Sequence, residues 1–282
     1  MKITYYGTAA SEGFPGLFCS CEPCEKARAK GGKNLRTRSQ ALIDDTLLID
    51  FPADTYMHVL NFGLDLRKIK TLLITHSHDD HLYPKDFEYR RYGFAYFDVD
   101  VKDLIPITVY SSEKSSKSIV EIIDKLELEK NNSFTWKQAK AFSSFTVGEY
   151  KITPLEADHD IRTEPLIYMI ENKKEGKAIL YAHDTGRFKD STWDYIEKSG
   201  VRFDFVSLDC TAIIKDYEGN HMGIAGGEAV RKRLIKIGAA DEKTKFCLNH
   251  FSHNGLLIHD ELVEVAAEKD FLVSYDGAVY EF

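Results

Sequence analysis

The stretch of residues 75–81, Thr-His-Ser-His-Asp-Asp-His, restricts the possible folds of this chain more than any other part of the sequence. It follows the apolar run Leu72-Leu73-Ile74, which predicts a buried strand that ends in a group of potential metal ligands. Side chains two residues apart on a strand point to the same face. We therefore expect His76 and His78 to bind the same metal ion.

The end of this stretch offers ligands for a second metal ion. Asp80 and His81 lie beyond the predicted strand, in the turn before Pro84, and are expected to point away from the first pair. Imidazole and carboxylate groups are the usual ligands in hydrolases that use two metal ions. Histidines also cluster by chance on protein surfaces, but the number and spacing of these ligands after an apolar strand favour a metal site.

The composition is typical of an enzyme with one large hydrophobic core. The chain has 282 residues, 43% of them apolar, and we expect residues 1–282 to form a single α/β domain. No run of about 18 apolar residues occurs in the sequence, and its first residues lack the apolar core of a signal peptide. We therefore expect a cytoplasmic protein that does not enter the membrane.

The net charge of −8 argues against a broad electrostatic interface with nucleic acid, although short basic stretches such as residues 231–233 remain. A small anionic substrate needs only a local basic patch. The five cysteines are expected to be metal ligands or buried thiols rather than disulfides, because the cytoplasm is reducing. Cys210 and Cys247 lie in apolar runs, so we expect them in the core.

Several other apolar runs end in residues that can bind metals. These runs predict strands, and the helical periods between them indicate an α/β fold. The polar residues at the ends of these runs are Asp50, His159, Asp184, Asp209 and His250. Taken singly, His159 or Asp184 is equally compatible with an ordinary polar residue at the end of a strand.

The order of these motifs along the chain resembles that of the metallo-β-lactamase superfamily. The resemblance covers nearly the whole chain, and it implies a four-layer αββα sandwich with a binuclear metal site along one edge of its two sheets. It assigns His76, His78 and His159 to one ion, Asp80, His81 and His250 to the other, Asp184 to the bridge between them, and Asp50 to the orientation of the ligands.

The ligand set that the resemblance implies favours hydrolysis. Imidazoles and carboxylates bind zinc or manganese well, and a set without thiolates keeps both ions strongly Lewis acidic. We expect a metal-bridging hydroxide to attack a phosphodiester, with Asp80 as part of the catalytic machinery. Oxygen-reducing di-iron members of the superfamily carry an acidic residue where this chain has His78, which argues against a redox function.

A separate cysteine motif lies near the start of the chain. Cys19, Cys21 and Cys24 offer three thiolates to a structural zinc ion, which then needs one more ligand. His253, three residues after His250, is the expected fourth ligand. The combination of Cys-x-Cys-x-x-Cys with His-x-x-His resembles the PhnP-type phosphodiesterases, which act on a cyclic ribose phosphate. The alternative is a loop of unrelated thiols, which would leave reactive cysteines in an exposed segment.

One further histidine is a candidate for proton transfer. His221 follows the strand that ends at Asp209, and its position resembles that of a histidine that related phosphodiesterases place over the substrate. An imidazole there would protonate the leaving alkoxide or bind a phosphoryl oxygen. A surface or helix-capping histidine is the alternative. For His58, His183 and His259 we expect structural roles.

Together these features predict a hydrolase that cleaves a small or cyclic phosphodiester with two catalytic divalent ions, zinc or manganese, and one structural zinc. Two hydrolytic alternatives remain: tRNA 3′ processing like that of ribonuclease Z, which residues 250–252 also resemble, and lactone or thioester hydrolysis. A metal-binding or nucleotide-sensing module without turnover is the non-enzymatic alternative. The aromatic segment 83–103 is compatible with a lid, a pocket wall or a contact in a homodimer.

Overall fold

Two β-sheets packed face to face form the centre of the computed structural model, which describes residues 1–217 and 219–282. The strands of the first sheet are, in spatial order, β14 (Ala278–Glu281), β1 (Lys2–Gly7), β2 (Gln40–Ile43), β3 (Leu47–Ile49), β4 (Thr71–Leu73), β5 (Ile107–Ser111) and β6 (Phe134–Gln138). The strands of the second sheet are β13 (Leu272–Val273), β12 (Lys245–Asn249), β11 (Phe205–Asp209), β10 (Lys177–Ala182), β9 (Leu166–Asn172), β8 (Tyr150–Glu156) and β7 (Phe145–Val147).

Helices cover the outer face of each sheet, which confirms the four-layer αββα sandwich implied by the sequence motifs. The helices are α1 (Glu22–Lys30), α2 (Thr55–Phe62), α3 (Lys117–Lys125), α4 (Asp190–Ser199), α5 (Ile224–Lys236) and α6 (His259–Ala267). Helices α2 and α3 lie on the first sheet, whereas α4, α5 and α6 lie on the second.

The core between the two sheets explains the residue pattern of the strands. Ile3 and Tyr5 of β1 point into this core and pack with residues of the second sheet such as Phe205. Buried and half-buried residues alternate in the first part of β1, as is typical of a strand with one fully covered face. Strand β11 is buried along its whole length, because helices cover its second face.

Helix α3 shows how the outer layers attach to the sheets. Ile119 and Ile123, four residues apart, are buried against Val109 of β5. Lys117, Glu121 and Lys125 occupy the opposite, exposed side of the helix. The apolar stripe therefore fixes the helix on the first sheet and leaves a charged face in solvent.

Parallel strands in both sheets end at the same edge of the sandwich. Strands β3 and β4 are parallel in the first sheet, and β10, β11 and β12 are parallel in the second. Asp50 directly follows β3, Asp209 is the last residue of β11, and His250 directly follows β12. The carboxyl ends of parallel strands are where α/β proteins commonly bind ligands.

The backbone has an uncommon conformation at three residues of this edge. The φ angles of Asp50, Asp184 and His250 are 64°, 49° and 64°, in the left-handed region that residues other than glycine rarely adopt. Such conformations cost about 1–3 kcal/mol and concentrate at functional sites.

None of the helices in the described part of the chain has the length and apolar character that crossing a lipid bilayer requires.

Candidate metal centre

Three imidazoles converge at the edge of the first sheet. The Nδ1 atom of His78 lies 2.9 Å from Nε2 of His76 and 3.3 Å from Nε2 of His159. All three nitrogens fall within 4.8 Å of one another, which is close enough for a single metal ion to bind them together. The structure thus groups the three histidines that the sequence motifs assign to one ion.

The structural basis of this grouping differs from the sequence prediction. Strand β4 ends at Leu73, so His76 and His78 lie in the following loop rather than on a strand. The backbone N–H groups of His81 and Leu82 both donate to the carbonyl oxygen of His78, at 2.9 Å each, and so form a tight turn. Strand alternation was therefore the wrong reason for placing the two histidines together, because both lie in the loop that follows β4.

A second group of ligand atoms is fully buried beside the first. It consists of Asp80, His81, Asp184 and His250. The Nε2 atom of His81 lies 3.3 Å from Oδ2 of Asp80 and 3.2 Å from Nε2 of His250. These are the residues that the sequence motifs assign to the second ion, together with the expected bridge.

Asp184 lies between the two groups. Its Oδ2 atom is 3.4 Å from Nε2 of His76, 2.6 Å from Nε2 of His81 and 3.3 Å from Nε2 of His250. Its Oδ1 atom is buried and accepts no hydrogen bond from the described residues. Burial acts to raise the pKa of Asp184, but the nearby imidazoles of His250 and His81 outweigh it and hold the pKa well below its usual range.

In each converging imidazole, the ring nitrogen that points away from the centre is hydrogen-bonded to a protein oxygen. The ring nitrogen that points towards the centre is left to bind a metal. Two of the acceptors are carboxylates: His81 Nδ1 donates to Asp50 at 2.7 Å, and His78 Nε2 donates to Asp160 at 3.2 Å. Two are hydroxyls: His250 Nδ1 donates to Thr211 at 2.8 Å, and His76 Nδ1 donates to Thr75 at 3.1 Å. The fifth is a backbone carbonyl, that of Asn220, to which His159 Nδ1 donates at 3.2 Å. Such partners fix the orientation of metal-binding histidines and the nitrogen that each presents.

The donor set fits two divalent cations. Ring nitrogens of neighbouring histidines face one another at about 3 Å, and an oxygen atom holds the other nitrogen of each ring, so the facing nitrogens are placed to share a cation. Burial holds the pKa of His76 well below its usual range, which keeps this ring neutral. Burial opposes ionisation of Asp80, but His81 and His250 still lower its pKa well below the usual value. Neutral imidazoles and ionised carboxylates are the forms that bind metals.

His221 lies beside this centre and is held by a buried carboxylate. Its Nδ1 atom is 3.2 Å from Oδ2 of Asp209 and 3.2 Å from Oδ1 of Asp184. Burial acts to lower the pKa of His221, but the carboxylates of Asp209 and Asp184 raise it to about 9. Asp209 also accepts hydrogen bonds from the backbone N–H groups of Met222 at 2.8 Å and Thr211 at 3.1 Å.

The cysteine motif in the N-terminal loop forms another cluster of potential ligand atoms. The sulfur atoms of Cys19, Cys21 and Cys24 and a ring nitrogen of His253 lie within 4.8 Å of one another. His253 Nδ1 is 3.6 Å from the sulfur of Cys19 and 3.4 Å from that of Cys21. The backbone N–H of Cys21 lowers the pKa of Cys19, whereas burial raises the pKa of Cys24 to about 12. A cation is therefore needed to hold all three as thiolates.

Two cavities lie beside the candidate metal centre. The smaller, about 350 Å³, is lined by His78, His159 and His250 together with His221. The larger, about 1140 Å³, shares His78 and Asp80 with the first and extends along helix α3. Of the described residues in the aromatic segment 83–103, Tyr83, Pro84 and Lys85 at its beginning line this larger cavity.

Comparison with known proteins decides the family. The model of the beta-lactamase superfamily domain matches residues 48–246 of this chain, which is more than half of its length. The chain belongs to the beta-lactamase superfamily. No curated protein matches it in sequence. Hydrolytic metalloenzymes are typical of the metallo-β-lactamase fold family, in agreement with the donor set described above.

Solved structures share the superfamily fold over essentially the whole chain. A diphosphatase from the PhnP family has a TM-score of 0.71 and 18% identity, over 100% of this chain and 98% of its own. Zinc-bound PqqB from Methylobacterium extorquens has a TM-score of 0.69 and 17% identity, over 100% of both chains. The short form of human tRNase Z has a TM-score of 0.62 and 16% identity, over 100% of this chain and 99% of its own. These similarities establish the fold of this superfamily member.

The sequence analysis did not identify several residues that hydrogen-bond to the histidines of the candidate metal centre. Thr75, Thr211 and Asp160 hold ligand imidazoles, and Asp209 holds His221. Asp209 had a visible signal, since it ends an apolar run just as Asp50 follows one. The hydroxyls of Thr75 and Thr211 carry no such signal, because threonine is common in both strands and turns.

Proposed function

We propose that the protein is a binuclear metal-dependent phosphodiesterase that acts on a small or cyclic phosphodiester. The single observation that supports this proposal most strongly is the position of the Asp184 carboxylate between two groups of converging imidazoles. Two divalent ions bound there would supply Lewis acidity and a nucleophile derived from water, as in other two-metal hydrolases.

The residues around the centre have separable roles in this proposal. His76, His78 and His159 hold one ion, Asp80, His81 and His250 hold the other, and Asp184 contacts both. Asp50 keeps the His81 ring in place through a 2.7 Å hydrogen bond to Nδ1. Zinc and manganese both suit ligands of this kind.

His221 is the proposed general acid. Asp209 engages its Nδ1 atom, so Nε2 is the atom that remains for the substrate in the cavity that His221 helps to line. A proton on this atom would pass to the leaving alkoxide oxygen as the ester bond breaks. Asp209 therefore acts as a positioning residue for the ring.

We also propose that Cys19, Cys21, Cys24 and His253 hold a structural zinc ion. The cluster offers four protein ligands, which would fill the tetrahedral coordination of a zinc ion and leave no position open. This is typical of structural rather than catalytic zinc. The other ring nitrogen of His253 lies 3.6 Å from a carboxylate oxygen of Glu12, and Glu12 lines the smaller cavity. The cluster thus supports one wall of the catalytic cavity.

Hydrolysis of bis(p-nitrophenyl) phosphate tests the proposed activity. Protein loaded with zinc or manganese is expected to release p-nitrophenol from this diester, and protein treated with a chelator is not. Release is followed by absorbance. Turnover of lactones or thioesters with none of the phosphodiester would favour the carboxyl-ester alternative, and inertness towards all of these esters would favour a sensor without turnover.

Replacement of His221 by alanine tests the general acid. We expect normal metal content and about 10²- to 10⁴-fold slower turnover of alkyl phosphodiesters, whose alkoxide needs a proton. Turnover of p-nitrophenyl esters should change far less, because p-nitrophenolate leaves without protonation. Equal slowing with both kinds of leaving group would contradict the role in proton transfer and would assign His221 to substrate binding.

A further inference from the structure

A further cavity lies on the outer face of the first sheet. We call it the outer-face cavity; its volume is about 260 Å³. Among the described residues, none that lines it also lines either cavity beside the candidate metal centre, so a ligand held there would not compete with a substrate for space. Its floor is made by buried residues of four neighbouring strands: Leu48 of β3, Leu72 of β4, Ile107 of β5 and Phe134 of β6.

The aromatic segment 83–103 covers this floor in place of an α-helix. It contains only two short 3₁₀ turns, at residues 84–90 and 101–103, and it leaves a space above the sheet. Tyr89 lines this space and is nevertheless 59% exposed, so the cavity is reached from solvent beside its ring. The segment therefore serves as the wall of a pocket.

Most of the wall is apolar. Apart from three charged residues, the side chains that line the outer-face cavity are aliphatic or aromatic. A concave, mainly apolar surface with few polar groups is typical of sites for small molecules. The rings of Phe51, Tyr89 and Phe97 also offer faces that attract cations. The charged residues of the wall then determine which molecule fits.

The two arginines of the wall are already engaged by the protein. Arg67 donates to both carboxylate oxygens of Asp65, at 2.7 and 3.0 Å. Arg90 donates to backbone carbonyl groups of nearby loops, those of Ile105 at 3.0 Å, Asn132 at 3.2 Å and Ser133. These contacts leave the two guanidinium groups with little to offer to an anionic ligand.

Asp86 is the charged group of the wall that has no partner within the described residues. Its carboxylate forms no salt bridge and accepts no hydrogen bond from any described residue, including Arg90 four positions later. The side chain is half-buried, and this burial raises the pKa of the carboxyl above its ordinary value. A partly desolvated carboxylate is stabilised by a ligand that brings a positive charge and N–H donors.

We propose that the outer-face cavity binds a small organic cation that consists of an ammonium group attached to an apolar or aromatic body. The ammonium group pairs with Asp86, and the body fills the space between the floor and the rings of Tyr89 and Phe97. The volume of about 260 Å³ lies just below the roughly 300–1,000 Å³ of pockets for drug-sized ligands, which suits a small arylalkylamine. Such binding does not require the phosphodiesterase activity proposed above.

Two compounds of nearly equal size and different charge test the site. They are 2-phenylethylamine, which is a cation at pH 8, and 2-phenylethanol, which is neutral. Titration of the labelled full-length protein, followed by nuclear magnetic resonance, measures the weak affinities expected of such small ligands. The amine should bind about tenfold more tightly than the alcohol, because only the amine forms a charged hydrogen bond with Asp86.

The variant Asp86→Asn should bind the amine about as weakly as the alcohol and keep its affinity for the alcohol. The matched control is Asp103→Asn, which removes the same charge from an exposed residue of the same segment outside the cavity and should keep the preference for the amine. No binding of the amine, equal affinity of the unmodified protein for both compounds, or a preference that persists in Asp86→Asn would overturn the proposal.

A variant that fills the cavity tests the location without removing any charge. Ala95 is half-buried in the wall, and Ala95→Phe should weaken the binding of both compounds at least about tenfold while metal content stays normal. Unchanged binding in this variant would place the compounds elsewhere on the protein and refute the site.

A second copy of the chain is the alternative occupant, because Tyr92, Phe94 and Tyr96 of the same segment are exposed. Sedimentation velocity is expected to give the same mass for Ala95→Phe and for the unmodified protein. A dimer that dissociates in Ala95→Phe, together with no binding of the amine, would assign the cavity to contact between two copies and refute the proposal.

Discussion

Replacing Asp184 by alanine is expected to lower kcat/KM for bis(p-nitrophenyl) phosphate by more than about 100-fold, the upper range for loss of an outer partner of a metal ligand. The reason is that one oxygen of Asp184 lies within 3.4 Å of ligand nitrogens from both groups. Without this carboxylate, the charges of two cations would be poorly balanced in a buried site. Elemental analysis of the purified variant should also find less than the normal amount of catalytic metal.

A matched control separates this effect from a general loss of a carboxylate. Asp194 lies on helix α4 with an exposed side chain, and its pairing with Lys198 is loose, at 3.8 Å. Asp194→Asn should therefore retain metal and activity. Full metal content and near-normal turnover in Asp184→Ala would contradict the bridging position and, with it, the proposed binuclear centre.

Replacing Cys21 by alanine is expected to remove one zinc ion per chain and to lower the thermal unfolding temperature. Zinc stabilises small zinc-finger peptides by roughly 10–16 kcal/mol. If the loss of this zinc lowers the free energy of unfolding by only about 4 kcal/mol, the thermal unfolding temperature should fall by roughly 10 °C. The effect should be large because the cluster joins the N-terminal loop to His253, more than 200 positions later in the chain.

Cys247→Ala is the control for the loss of a thiol. Cys247 is buried in the core between the two sheets, so this variant should lose stability through packing but keep its full zinc content. The two variants are compared by elemental analysis and calorimetric unfolding. A Cys21→Ala protein with unchanged zinc content would rule out the structural site, whatever its stability.

The proposed ligand residues were accessible to sequence reasoning because they occur in a fixed order at or after the ends of apolar runs. Asp50 directly follows such a run and His250 comes two residues after one, and in the structure each directly follows a strand. Two of the histidines for which we expected structural roles form hydrogen bonds in the structure that are in keeping with such roles. His58 is buried and bonds to Gln40 at 2.6 Å, and His183 bonds to Ser207 at 2.6 Å, so both serve the packing around the centre.

Local geometry was not accessible in the same way. The loop that carries His76 and His78 ends in a turn in which the carbonyl of His78 accepts hydrogen bonds from the backbone of His81 and Leu82, and no side-chain pattern encodes this turn. The left-handed backbone of His250 could not be read from the sequence, because residues other than glycine adopt that conformation only in a small fraction of cases.

The ligands of the candidate centre come from both halves of the sandwich. His76, His78, Asp80 and His81 follow a strand of the first sheet, whereas His159, Asp184 and His250 follow strands of the second. Each bound ion would consequently act as a cross-link between two layers that are also joined by the shared apolar core and by hydrogen bonds such as that between Tyr5 and Ser207. By thermodynamic linkage, cation affinity and the cohesion of the two layers must rise and fall together, so substitutions far from the centre that loosen the layers will also weaken metal retention.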